Sequence, residues 1–412
     1  MALSKHMIDM TILRENPVFR RVMIARGISL MGLGFLSVGI PVQTYNLTNS
    51  SFSVSVVMAL LSFGMLSGLM LGGTLSDTYD RRRLILFARS VCGLGFLGLF
   101  INSILPEPSI LAIYVLVLWD GFFGALGVAG LLGAMVQIVG REKMAPATAL
   151  TMIVTRFATI ASPALGGLVI ALWSVSWNYA FAAFMTLLTV ISLWGLPSLA
   201  PAKSKKGNPL SMIFDALKIV GGNKALLCLF GMGGLMALSP AIRTVFPFLA
   251  EQSGFDPDMA AGLLYAAVPA GTVLGAFFSR SVSELKRPGL ALTGLCVTAA
   301  IAIMGIGYLS SLIVVLCLLI IFGAALGAVG VVQMALVQKA TPDSHLGRVN
   351  SLYMAQENLG MIFGAMIFGS MTGMFIPSEA LIIYGFVIMS LVILLRLILP
   401  LRQEIETPEP VG

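Results

Sequence analysis

The chain has 412 residues, 58% of them apolar and only 10% charged, with a formal net charge of +7. Soluble domains carry roughly 25% charged residues, so this composition excludes a soluble enzyme or binding domain, and the unbroken apolar runs exclude an alternating-strand β-barrel. The basic excess is spread over short loops instead of being clustered on one polar face, so no nucleic-acid partner is expected.

A spanning helix takes about 20 mostly apolar residues. Runs of that kind predict twelve spans, near 18–44, 52–76, 84–105, 109–139, 147–172 and 177–196, then 225–250, 259–279, 289–309, 311–338, 349–374 and 379–399. Of the 25 lysines and arginines, 22 are assigned to one side, the set after the second span being Arg81, Arg82, Arg83 and Arg89. By the positive-inside rule that side is cytoplasmic and holds both termini. The longest polar stretch, Pro197 to Asn223, separates a six-helix bundle at 1–196 from a second at 224–412. Within this 197–223 linker, Asn208-Pro209 followed by Leu210, Ile213, Phe214, Leu217 and Val220 predicts an amphipathic helix on the membrane surface.

The halves resemble each other. Gly73-Thr-Leu-Ser-Asp77 before Arg81-Arg82-Arg83 returns 202 positions later as Gly275-Ala-Phe-Phe-Ser279 before Lys286-Arg287, and Ala149-Leu150-Thr-Met152 returns as Ser351-Leu352-Tyr-Met354. Such repeats place substrate handling at their shared midplane. His6 and His345 lie outside the spans, so no metal site is expected, and Cys92, Cys228, Cys296 and Cys317 read as small buried hydrophobes. With no phosphate-binding glycine loop, catalytic histidine or serine elbow, neither enzyme chemistry nor a cofactor is expected.

Charges inside the spans stand out, because an Asp at a helix centre costs roughly 2.5–3.5 kcal/mol on insertion. They are Arg26, Asp120, Arg156, Arg243 and Glu357. Asp120, or else Glu357, reads as a proton carrier; the competing reading is a structural ion pair of Asp120 with Arg156 or Arg26. Trp119, Phe122, Phe123, Phe246 and Tyr265 offer ring faces to a substrate and Gln333 an amide. Gly64-xxx-Gly68-xxx-Gly72 and Gly323-xxx-Gly327 read as helix packing.

The loop from Gly73 through Asp77 to Arg81-Arg82 resembles the GxLaDrxGrk motif of the major facilitator superfamily, with Thr78 and Asp80 departing from it. Ala158 to Gly167, containing Ser162-Pro163 and Gly166-Gly167, resembles the GxxxGPxxGG motif of that superfamily's exporters. Asn16-Pro17-Val-Phe-Arg20, Leu105-Pro-Glu-Pro-Ser109, Leu118-Trp-Asp120-Gly-Phe-Phe123 and Leu346-Gly-Arg348-Val-Asn350 are similar to the bacterial enterobactin exporters within it. The resemblance implies an all-α membrane protein of twelve transmembrane helices in two six-helix pseudo-repeats, with spans one, four, seven and ten lining a cavity. Arg26, Arg243, Trp119, Phe123 and Gln333 would then contact substrate, Asp120 and Glu357 would carry protons, and Ser162, Pro163, Gly166 and Gly167 would form the antiporter-like motif. Gly73, Asp77, Arg81 and Arg82 would latch one conformation, Gly73 by close helix approach and Asp77 at the N-terminus of a neighbouring helix. The implied activity is proton-driven export of a catecholate siderophore across the inner membrane, the alternative being a broad multidrug:proton antiporter. The implied partners are the siderophore, protons and membrane lipid, with a periplasmic or outer-membrane export partner left open.

Overall fold

The computed structural model describes residues 11–140, 142–200, 217–283, 288–342 and 345–398, and among these no strand occurs. After a short helix at Thr11–Glu15 come α1 (Pro17–Thr48), α2 (Ser51–Ser76), α3 (Arg81–Ile104), α4 (Ile110–Val139), α5 (Met144–Leu172) and α6 (Val175–Trp194). Then follow α7 (Lys224–Glu251), α8 (Pro257–Ser283), α9 (Pro288–Tyr308), α10 (Leu312–Lys339), α11 (Leu346–Met374) and α12 (Pro377–Ile398). Eleven of these helices are long and apolar enough to cross a membrane. The twelfth, α11, is 29 residues long, enough to span. Arg348, Gln356, Glu357 and Asn358 dilute its apolarity. The linker helix expected over 208–220 falls largely on residues 201–216, outside the described residues; 217–222 are helical.

The chain packs as two compact units, one of Met1–Asn49, Leu60–Ser204 and Ala261–Ala266, the other of Ser50–Ala59, Lys205–Ala260 and Ala267–Gly412. In the first unit α2 and α4 touch backbone to backbone. A Cβ on Gly68 would overlap the Phe122 carbonyl, one on Gly64 would sit 2.5 Å from the Leu118 carbonyl, and one on Gly121 would overlap that of Leu61. In the second unit α8 and α10 meet likewise, with Gly271 against Ile320, Gly323 against Val268 and Gly327 against Thr272. Both glycine series are therefore packing surfaces, since helices without side chains where they touch approach closely and gain dispersion along their whole length. Gly121 and Gly323 keep the 202-residue spacing of the repeat.

Local chemistry sets the helix ends. The Asn16 side chain accepts from the Phe19 N–H at 2.9 Å, while its amide donates to the Ile138 carbonyl at 2.8 Å, so one residue caps α1 and fastens it to the end of α4. Asn49 then closes α1 in the left-handed region at φ 47°. Helix α7 is not continuous: after Leu238 the backbone tightens into a 3-10 turn, Ser239–Val245, and resumes as α-helix at Phe246. Pro240 and Pro247 account for the break, since neither has an N–H to donate. Tyr384 of α12 donates its hydroxyl to the Leu238 carbonyl at 2.9 Å, and Gly360 and Gly364 of α11 make room for Ala237 and Leu238. Three cysteines are buried as expected, but Cys317 lies on the exposed face of α10.

Candidate functional site

In the first unit a charged cluster forms where α3, α4 and α1 meet. Asp120 is 5% exposed, and its carboxylate accepts a hydrogen bond from the Cys92 thiol of α3 at 3.2 Å. One turn before Cys92, Arg89 is 8% exposed and lies within electrostatic reach of both Asp120 and Arg26. Counting Arg89 with the loop arginines is therefore wrong: it stands inside α3, on the face turned to α4. Its Nε lies 3.3 Å from where a Cβ on Gly127 would be, and an Asp120 oxygen 3.6 Å from a Cβ on Gly124. Positions 120, 124 and 127 share one face of α4, and the two glycines clear it for the carboxylate and the guanidinium.

Neither ion pair expected for Asp120 forms. Among the described residues Asp120 has no cation within 4.0 Å. Arg26 donates its Nε to the Thr155 hydroxyl of α5 at 3.3 Å, and Arg156 is exposed one residue on, because the helical turn carries adjacent residues to different faces.

The aromatic group beside Asp120 is ordered by its own neighbours. The Trp119 indole N–H donates to the Val91 carbonyl at 2.9 Å, and the Phe123 ring lies 4.7 Å from Trp119, 5.0 Å from Phe122 and 6.1 Å from Phe87. In the second unit Gln333 is 1% exposed and its amide donates to the Leu229 carbonyl at 3.1 Å, tying α10 to α7. Arg243 lies half-buried in the 3-10 turn of α7, and Glu357 is exposed on α11, one turn after Tyr353, with which it interacts.

The loop motif is built around a residue that departs from the family pattern. Asp80 caps α3, accepting from the Arg82 N–H at 2.8 Å, and also accepts from the Ser198 hydroxyl and from the Leu199 N–H at 3.3 Å. Burial raises its proton affinity, but these hydrogen bonds outweigh that and hold the carboxyl below the usual carboxylate range. Around it, Arg82 donates to the Trp194 carbonyl at 2.6 Å, Arg21 to Gly195 at 3.2 Å and Gln137 to Ala200 at 2.9 Å. Leu193, Leu196 and Leu199 meanwhile pack among Val22, Ala25, Ile85 and Leu131. Asp77 is exposed and pairs with Arg81 at 3.9 Å within its own turn. A Cβ on Gly73 would meet nothing within 4 Å, so the close approach expected there belongs to Gly64, Gly68 and Gly72, which face α4.

The motif of α5 packs by its small residues. The Ser162 side chain occupies the space over Gly34 of α1 and donates to the Ala158 carbonyl of its own helix at 2.5 Å. A Cβ on Gly166 would lie 3.1 Å from the Phe35 backbone, and Asn178 of α6 donates to the Gly166 carbonyl at 2.9 Å. Also within the first unit, a Cβ on Gly262 would lie 2.7 Å from the Gly167 backbone and 3.1 Å from the Pro163 carbonyl.

A bundle of membrane-length helices in two units, with buried charge inside one of them, defines a polytopic transporter. Residues 22–365 match the Major Facilitator Superfamily. The chain belongs to that superfamily and is an integral membrane transporter of small molecules, not an enzyme. It is 38% identical over 405 residues to the enterobactin exporter EntS of Citrobacter koseri (strain ATCC BAA-895), covering 98% of this chain and 97% of that one. It is 37% identical over 406 residues to the enterobactin exporter EntS of Escherichia coli O1:K1 / APEC, with the same coverage. In fold it is similar to the nucleoside transporter NupG, with a TM-score of 0.74 at 12% identity, covering 92% of this chain and 98% of that one. A bacterial homologue of the iron transporter ferroportin gives a TM-score of 0.67 at 14% identity, covering 93% and 98%.

Proposed function

We propose that this protein exports a catecholate siderophore of the enterobactin kind from cytoplasm to periplasm by alternating access, driven by the proton gradient. The observation that carries this reading is the end-to-end similarity to two curated enterobactin exporters. In this reading the protein lies in the inner membrane with both termini cytoplasmic, and its halves are the six-helix bundles 1–196 and 224–412 joined by the 197–223 linker. Asp120 carries the proton, with Glu357 as the second acidic candidate. Arg26 and Arg243 receive anionic phenolic oxygens, Trp119 and Phe123 stack on the rings, and Gln333 exchanges its bond with Leu229 for one to the substrate. Gly73, Asp77, Arg81 and Arg82 latch one state. Ser162, Pro163, Gly166 and Gly167, the antiporter-like motif, keep α5 closely packed.

Deletion of the gene in an iron-starved siderophore producer tests this. Intact siderophore is expected to fall in the medium and to rise, with its breakdown products, in the cell. Unchanged secretion with the other exporters also deleted would reject the substrate and favour a broad multidrug:proton antiporter.

A further inference from the structure

We propose that Arg89 is a positioning residue for proton coupling: from α3 it holds the charge of the Asp120 carboxylate, within reach of Arg26 on α1. The proposal rests on Asp120 being the proton carrier. Arg89 stands eight residues past the start of α3, roughly 12 Å along the helix, and it is buried whereas Arg83 at the helix start is exposed. A guanidinium held at that depth needs an acidic or polar neighbour, and the acid in its reach is Asp120.

The packing is built for this neighbour. Gly124 and Gly127 clear one face of α4, the Asp120 carboxylate lying against the first and the Arg89 side chain against the second. The groups that face Asp120 come from α3, where Cys92 donates a hydrogen bond and Arg89 supplies charge. From α1, Arg26 reaches Arg89. On the other side α2 contributes glycines, Gly64 facing Gly121 and Gly68 facing Phe122.

Arg89 thus faces the Asp120 carboxylate on one side and the Arg26 guanidinium on the other. While Asp120 is ionised, its charge offsets the repulsion between Arg26 and Arg89. When it takes up a proton, that offset is lost and the two arginines push α1 and α3 apart. A change of protonation becomes a force between helices of one unit, and Arg89 is the group that transmits it.

The test compares full-length wild type with Arg89→Gln, Arg89→Lys, Gly127→Ala and Asp120→Asn in everted vesicles, with iron-free enterobactin as the probe. Gradient-driven uptake and gradient-free exchange are measured across pH. Arg89→Gln should keep exchange but lose about tenfold in gradient stimulation, with its pH midpoint moved up by about one unit, because a carboxylate without its cation favours the neutral form. Arg89→Lys should restore most of the stimulation, and Gly127→Ala, which crowds Nε without altering charge, should move the midpoint in the same direction by less. Wild-type stimulation and pH profile in Arg89→Gln, with Asp120→Asn inactive, would overturn the role of Arg89 alone. Wild-type stimulation in Asp120→Asn would overturn the proton-carrier reading and this proposal with it. If Arg89→Gln does not accumulate, an unshifted Gly127→Ala profile overturns the proposal.

Discussion

The hydroxyl of Tyr384 donates to the carbonyl of Leu238, and Leu238 is the residue at which α7 stops being α-helical. The 3-10 turn that follows moves that oxygen from an i+4 to an i+3 backbone donor, and the Tyr384 hydroxyl of α12 adds a second bond to it. Tyr384→Phe removes this bridge between α12 and α7, which costs about 0.5–1.5 kcal/mol. The melting temperature of the purified protein in detergent should fall accordingly; an unchanged value would show that the Tyr384 bond adds nothing to stability.

Asp80 joins the start of α3 to the segment after α6. Removing an N-cap side chain costs about 1 kcal/mol, so Asp80→Ala should destabilise the first unit by about that much, and Asp80→Asn by less because the amide oxygen still accepts. Since the folded carboxyl is held below its ordinary range, its contribution is present above the unfolded value of about 4 and is lost as pH falls through the folded value. Melting followed from pH 7 downward should show the difference between wild type and Asp80→Asn shrinking only in the acid range. A constant difference down to about pH 3, below the unfolded value, would refute the linkage.

Two neighbouring glycines should respond in opposite ways. Gly68→Val must force apart the α2 and α4 backbones, and little folded protein should reach the membrane. Gly73→Ala enters open space and should fold normally. Membrane-fraction immunoblots and detergent gel filtration decide it, and equal accumulation of both variants would contradict the packing.

Fusing a reporter that is active only in the periplasm to either terminus should give no signal, as both ends are proposed to be cytoplasmic. Activity at one end would reverse the orientation or change the parity of the spans.

Run length makes the spans legible, because about 20 apolar residues dominate any window. For the same reason α11 is the weakest of them, diluted by Glu357 and Asn358. Charge counting fails at Arg89, which lies six residues after the arginine triplet that opens α3 and carries no local sign of burial; only its helical phase with Cys92 on the face toward Asp120 could have shown it. The kink of α7 does leave a signal, Pro240 with Pro247, but proline spacing gives a break and not the tyrosine of α12 that bonds to it. Trp119 and Gln333 are readable as ring and amide. The backbone carbonyls of Val91 and Leu229 that engage them belong to distant stretches of chain.

The carbonyls of Trp194, Gly195, Leu199 and Ala200 are gripped by Arg82, Arg21, the Arg81 N–H and Gln137, groups of α3, α1, α3 and α4. A fluorophore or spin label attached at Ala200 would therefore travel with the first unit, although by sequence it already belongs to the connection. Distance measurements that aim to follow the connection itself need their label placed further along, and the pair Ala200 with any site on α3 supplies an internal ruler whose length should not change during turnover.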